Sequence, residues 1–143
     1  MFQLGDFTLS SGARSKWKIE CDAWTDEDVC ALAQMIRQLV GPFSSVEGVP
    51  RGGLRLAEAL KPFSSLGADA PILIVDDVLT TGKSLEKAKA AYLGSIPEGG
   101  MLYERRGSHM LVGAVVFARG QCPSWIKAVF QMPECFWLEK RKR

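Results

Sequence analysis

The sequence predicts an α/β domain, a mainly parallel sheet flanked by helices with a small hairpin at the N-terminus. Three observations carry this. A short strand at 46–49 and apolar runs at 72–75 and 110–118 supply the strands, and the run at 72–75 has the β-branched character of one buried on both faces. The first two run into small-residue turns, Pro50-Arg51-Gly52-Gly53 and Thr80-Thr81-Gly82-Lys83-Ser84. Each turn opens into a helical pattern, the layout of parallel strands joined by crossovers, which are expected to be right-handed.

In chain order, Phe7/Leu9 and Trp17/Ile19 alternate around a Ser-Ser-Gly turn and predict a hairpin within residues 1–24. On such a hairpin Arg14, Lys16 and Lys18 read as solvated charges. Thr25 starts a helix through a capping box with Asp28, and Asp26 and Glu27 suit the positive end of its dipole. Val29, Leu32, Ala33, Ile36, Leu39 and Val40 form its apolar stripe, and Gly41-Pro42 stops it. A strand at Val46–Val49 leads to a helix through Leu54, Ala57 and Leu60. The helix after the second turn carries Leu85, Ala88, Ala91 and Tyr92 and ends near Gly94. A polar loop with Arg105, Arg106 and His109 follows, read as surface charge at the far end of the sheet. The strand Met110–Ala118 ends at Arg119-Gly120. Beyond it Trp125, Phe130, Phe136 and Trp137 read as core or dimer contacts on an irregular segment.

The 143 residues are expected to form one domain (1–143), with a basic tail at 140–143. Its 18 basic and 16 acidic residues nearly balance, so no global field demands nucleic acid. Lys140-Arg141-Lys142-Arg143 reads as a solvated end. Cys21, Cys30, Cys122 and Cys135 lack CxxC pairing, and His109 is the one histidine. Free buried thiols in a reducing compartment are expected, not a zinc site or disulfide framework. With no leader pattern and no membrane-length apolar run, the expected location is the cytoplasm.

The chemistry concentrates in 71–84, Pro-Ile-Leu-Ile-Val-Asp-Asp-Val-Leu-Thr-Thr-Gly-Lys-Ser. A turn opening into a helix presents backbone N–H groups and the positive dipole end, a site for phosphate. Gly82 allows close approach, and Thr80, Thr81 and Ser84 add hydroxyl donors. Asp76 and Asp77 suit ribose hydroxyls, directly or through hydrated Mg²⁺. Gly82-Lys83-Ser84 is no P-loop, because the glycine required five residues earlier is Asp77. A phosphoacceptor receiver domain is excluded too, since no Asp follows Asp77. Taken alone, the stretch also fits a buried strand ending in a solvated acidic turn, and 50–53 fits a glycine-rich turn with a surface arginine.

Together these residues resemble the phosphoribosyl-pyrophosphate signature of type I phosphoribosyltransferases. Phe7-Thr8-Leu9, Ser11-Gly12 and Ser15 are similar to the N-terminal stretch of orotate phosphoribosyltransferases, which forms a hood over the base. The resemblance implies a phosphoribosyltransferase-like fold and transfer of ribose 5-phosphate to a nucleobase, with orotate or another pyrimidine a candidate. A binding module without turnover is the alternative. Thr80, Thr81, Gly82, Lys83 and Ser84 would hold the 5-phosphate, and Asp76 and Asp77 would act catalytically on the ribose and a Mg²⁺ shell. Arg51, Gly52 and Gly53 would hold pyrophosphate, on a loop that in the family often carries a non-proline cis peptide. Arg119, Ser10 and Lys16 are the base-binding candidates, and one C-terminal aromatic is a candidate to stack on the base. A homodimer is implied, and neither membrane nor nucleic acid is. One departure stands out: only residues 61–70 separate the second helix from the acidic strand, where relatives carry a long closing hairpin.

Overall fold

The computed structural model describes residues 2–9, 12, 14–65, 69–96 and 111–132. Strands β1 (Phe2–Thr8) and β2 (Arg14–Ile19) form the antiparallel hairpin, with an irregularity between Leu4 and Phe7. Helix α1 (Asp26–Val40) is followed by β3 (Ser45–Gly48), α2 (Gly53–Leu60), β4 (Ile72–Leu79), α3 (Lys83–Ser95), β5 (Leu111–Ala118) and β6 (Ile126–Gln131). The four later strands make one parallel sheet in the order β3-β4-β5-β6.

Local chemistry accounts for these elements. Thr25 accepts from the Asp28 N–H at 3.1 Å, and the Asp28 carboxylate accepts from the Thr25 N–H at 2.9 Å, completing the expected box. Alternation along β4 sends Leu73 and Val75 to one face and Ile72 and Ile74 to the other. On the first face α1 and α2 bury Ala33, Ile36, Leu56 and Leu60; on the second, α3 buries Leu85. Each such leucine or isoleucine contributes about 1.5–3 kcal/mol on leaving water.

Two expectations need correcting. The strands step across the sheet in chain order, yet α2 and α3 pack on opposite faces, so the β3–α2–β4 and β4–α3–β5 crossovers have opposite hands. They cannot both be right-handed. What places α2 is burial beside α1, together with the fit of Gly53 against the end of β4, and these override the twist preference. The segment after Gly120 is also not irregular throughout: β6 extends the sheet. Ile126 is buried while Lys127, Phe130 and Gln131 are exposed, so the pattern shows neither alternation nor an apolar run. Trp125 lies over Gly113, donates to Glu86 at 2.7 Å and carries Lys89 over its ring, which commits it to the β5–β6 connection. Phe130 stacks on Phe117.

Cys21, Cys30 and Cys122 are free, but none is buried; Cys30 is on the exposed side of α1. Cys135 lies outside the described residues, as do Arg105, Arg106, His109, Met110, Phe136, Trp137 and the basic tail. Among the described residues no helix is long and apolar enough to cross a membrane.

Candidate functional site

The acidic strand β4 ends beside both glycine turns. Val49 N–H donates to the Val75 carbonyl at 2.8 Å and Gly53 N–H donates back to the Val49 carbonyl at 2.9 Å, so the 49–53 loop leans on β4. Its glycines are required by what they touch. A Cβ on Gly53 would lie 2.2 Å from the Val75 carbonyl oxygen, and one on Gly52 would lie 2.2 Å from the Asp77 carboxyl carbon. The Pro50–Arg51 peptide bond is cis, as the resemblance implies. Arg51 points its guanidinium into solvent, 90% exposed, with Asp22 at 3.9 Å.

Successive residues of a strand face opposite ways, and the acidic pair uses this. Asp77 faces Gly52. Asp76 lines a shallow, open hollow with Val78, Leu79, Thr80–Ser84 and Leu85. Gly82, at φ 78 and ψ −2, supplies the left-handed residue that turns the chain into α3, whose first bond runs from Glu86 N–H to the Gly82 carbonyl at 3.0 Å. Leu79 and Leu85 bury the apolar side of this turn, while Thr81, Lys83 and Ser84 face solvent.

The electrostatics are unbalanced. Burial, and next the Asp77 charge, push the Asp76 carboxyl up to about 8. Asp76 accepts from Asp77 N–H at 2.9 Å, and Asp77 accepts from Val78 N–H at 2.7 Å, which leaves oxygens of both carboxylates for a ligand. Among the described residues no three acidic, Cys or His side chains cluster to hold a metal unaided. Two adjacent carboxylates do fit a hard cation whose other ligands are water and substrate phosphates.

Arg51, Gly52, Gly53, Asp76, Asp77 and Thr80–Ser84 therefore meet on one rim, at the carboxyl ends of the strands. Arg119 joins them: its N–H donates to the Leu79 carbonyl at 2.8 Å, and Gly120 sits against the Thr80 carbonyl. Its side chain, however, is engaged by the hairpin. Nη2 donates to Ser15 Oγ at 2.9 Å, and the guanidinium lies 3.7 Å from the Trp17 ring centroid. Burial lowers its pKa. Lys16 is not brought to the rim. It lies between Ser15 and Trp17 on the other face of β2, 68% exposed and paired with Asp6, because strand alternation turns it outward. Ser10 lies outside the described residues.

One neighbour of the site carries no local sequence signal. The Cys21–Ala23 turn brings the Cys21 thiol against Asp77 and Asp22 toward Arg51. Burial pushes the Cys21 thiol up, and the Asp77 carboxylate adds to the shift. Only the tertiary fold makes these contacts.

The residues 61–71 connection is held at the opposite edge. Ser65 N–H donates to the Phe43 carbonyl at 2.9 Å, and Ser44 N–H donates to the Pro71 carbonyl at 2.8 Å. Its described residues are fixed beneath the amino ends of β3 and β4.

This α/β architecture is the type I phosphoribosyltransferase fold, in the form found in orotate phosphoribosyltransferases. The chain is 25% identical to the orotate phosphoribosyltransferase of Aeropyrum pernix, covering 99% of this chain and 93% of that one, with a TM-score of 0.64. The orotate phosphoribosyltransferase of Mycobacterium tuberculosis H37Rv, in complex with inorganic phosphate, has a TM-score of 0.63 at 20% identity, covering 90% and 86%. That of Francisella tularensis has 0.55 at 16% identity, covering 99% and 85%. No protein-family model matches the sequence, and no curated protein matches it significantly.

Proposed function

We propose that this chain is a single-domain cytoplasmic phosphoribosyltransferase that moves ribose 5-phosphate from phosphoribosyl pyrophosphate to a nucleobase and releases pyrophosphate. The observation that carries this is the lodging of the Asp77 carboxylate against Gly52, which joins two anion-binding turns through one acidic strand end. A ligand with phosphate at one end, pyrophosphate at the other and a diol between matches that order of groups. A pyrimidine such as orotate is the acceptor we propose, since a solved structure of the same fold is that of an orotate phosphoribosyltransferase.

The turn 80–84 holds the 5-phosphate through backbone N–H groups and the hydroxyls of Thr80, Thr81 and Ser84. Asp76 and Asp77 orient the ribose hydroxyls. Arg51 and the open backbone at Gly52 and Gly53 take the pyrophosphate, with Arg51 exchanging its weak contact to Asp22 for the anion. As the bond from ribose C1 to pyrophosphate breaks, its electron pair leaves with the pyrophosphate oxygen, and a base nitrogen bonds to C1 and gives up its proton to solvent. These groups act by positioning and by stabilising charge, and none forms a covalent intermediate. Mg²⁺, when bound with the substrate, supplies further charge neutralisation at the leaving group; Asp76 and Asp77 would hold its water shell.

A second reading has a specific observation in its favour. The described residues of the 61–71 connection, 61–65 and 69–71, are tied at the amino ends of β3 and β4, away from the rim where a water-sensitive ribose cation would need cover. The same site would then hold the sugar phosphate without turnover. Incubation with phosphoribosyl pyrophosphate, Mg²⁺ and each common base, read by mass spectrometry, separates the two. A nucleoside monophosphate and pyrophosphate in equal amounts support transfer; ligand binding without either product supports the binding module.

A further inference from the structure

We propose that Arg119 is a positioning residue that pins the N-terminal hairpin to the carboxyl-end rim of the sheet. A two-stranded hairpin is marginal by itself and needs the body of the domain to hold it. Here one guanidinium engages two residues of the same face of β2. It donates to Ser15 Oγ at 2.9 Å and stacks 3.7 Å from the Trp17 ring centroid. Ser15 closes the unit by donating to the Trp17 carbonyl at 2.6 Å.

The other end of the strut is equally fixed. Arg119 follows β5, and its backbone N–H prolongs the ladder to the Leu79 carbonyl, one residue before the phosphate turn. The whole residue is 6% exposed. An Arg is suited to this role because its planar fork can stack and donate at once, which an ammonium cannot. Among the described residues the hairpin also reaches the body through Trp17 and Ile19, packed partly buried on the α1/α2 face. The two anion turns depend on β3, β4 and α3 instead. Losing the strut therefore loosens the hairpin and leaves the phosphate grip in place. Its consequence for a base under the hairpin rests on the phosphoribosyltransferase reading; the anchoring itself does not.

Hydrogen exchange on the ligand-free protein tests the anchoring. In Arg119→Ala, amides of β1 and β2 are expected to exchange roughly tenfold to a hundredfold faster, as for loss of a hydrogen bond to a charged group, while β4 and β5 keep their rates. Ser15→Ala, a one-atom deletion on a half-buried surface, gives a smaller acceleration of the same peptides. Combined with Arg119→Ala it adds less than it does alone. Arg119→Lys fails to restore protection. Calorimetry supplies a second readout: uridine monophosphate affinity falls more in Arg119→Ala than phosphoribosyl pyrophosphate affinity does. Unchanged hairpin exchange, equal acceleration of β4 and β5, or full rescue by lysine overturns the proposal. Failure of the wild-type chain to bind phosphoribosyl pyrophosphate sinks the proposed function and leaves the exchange result standing.

Discussion

Gly52→Ala isolates the contact on which the site is built. Gly52 has φ −62 and ψ −33, an ordinary right-handed conformation, so alanine meets no backbone penalty there. The new methyl would lie 2.2 Å from both Cγ and Oδ2 of Asp77 and 2.4 Å from Oδ1. Ordinary contact needs roughly 3.4 Å or more, so the carboxylate must retreat by about 1 Å. Overpacking of this kind costs about 1–3 kcal/mol, offset by about 0.5–1 kcal/mol from the stiffer unfolded chain. Net stability should therefore fall by no more than about 2.5 kcal/mol. Binding should weaken as well, because the displaced carboxylate no longer meets the sugar where the 50–53 loop holds the pyrophosphate, and a misplacement near 1 Å can cost turnover on the order of a hundredfold. Thermal unfolding gives the first quantity, and calorimetric titration of phosphoribosyl pyrophosphate with Mg²⁺ gives the second. A variant that keeps wild-type affinity would refute the claim that Asp77 and the 50–53 loop serve one ligand.

Other perturbations have equally definite outcomes. Asp76 has its pKa raised to about 8 in the folded chain, above the ordinary value of 3.8, so the folded state binds the extra proton. Stability should be greatest near and below pH 4, decline as pH rises, and level off above about 8; Asp76→Asn should flatten that decline in melting curves from pH 5 to 9. Gly53→Ala forces a methyl to 2.2 Å from the Val75 carbonyl oxygen, where only backbone can yield. A loss of about 2–4 kcal/mol in denaturant unfolding is expected, and a neutral result would mean the loop does not lean on β4. Gly82→Ala has open space, its nearest neighbour being Leu79 at 3.9 Å, but φ is +78. Its cost should be only about 1–2 kcal/mol. Thr25→Ala removes the capping box and should cost about 1 kcal/mol without changing ligand affinity.

How far the sequence reaches depends on how local the cause is. The capping box at Thr25, the strand through 72–75 and the two glycine turns are local, and each is where its residues place it, although β4 continues through the acidic pair to Leu79. β6 escapes notice because an edge strand with Lys127, Phe130 and Gln131 exposed carries no clean period. The opposite hands of the two crossovers are decided by where α2 finds apolar partners, which no window of sequence contains. Within the site, the acidic pair and both turns are legible because their chemistry is contiguous. The engagement of Arg119 by Ser15 and Trp17, and of Asp77 by Cys21, spans distant parts of the chain. Lys16 shows the limit plainly: one residue of strand register turns a candidate for the base into a surface ion pair.

The central claim is that both anion turns and the acidic doublet grip a single activated pentose. Its most direct measurement is a titration of phosphoribosyl pyrophosphate and Mg²⁺ into the wild-type chain, Arg51→Ala, and the Asp76→Asn/Asp77→Asn double variant. The account predicts one saturable site per wild-type chain, weakened in Arg51→Ala and lost in the double variant. Equal affinity in all three would contradict it.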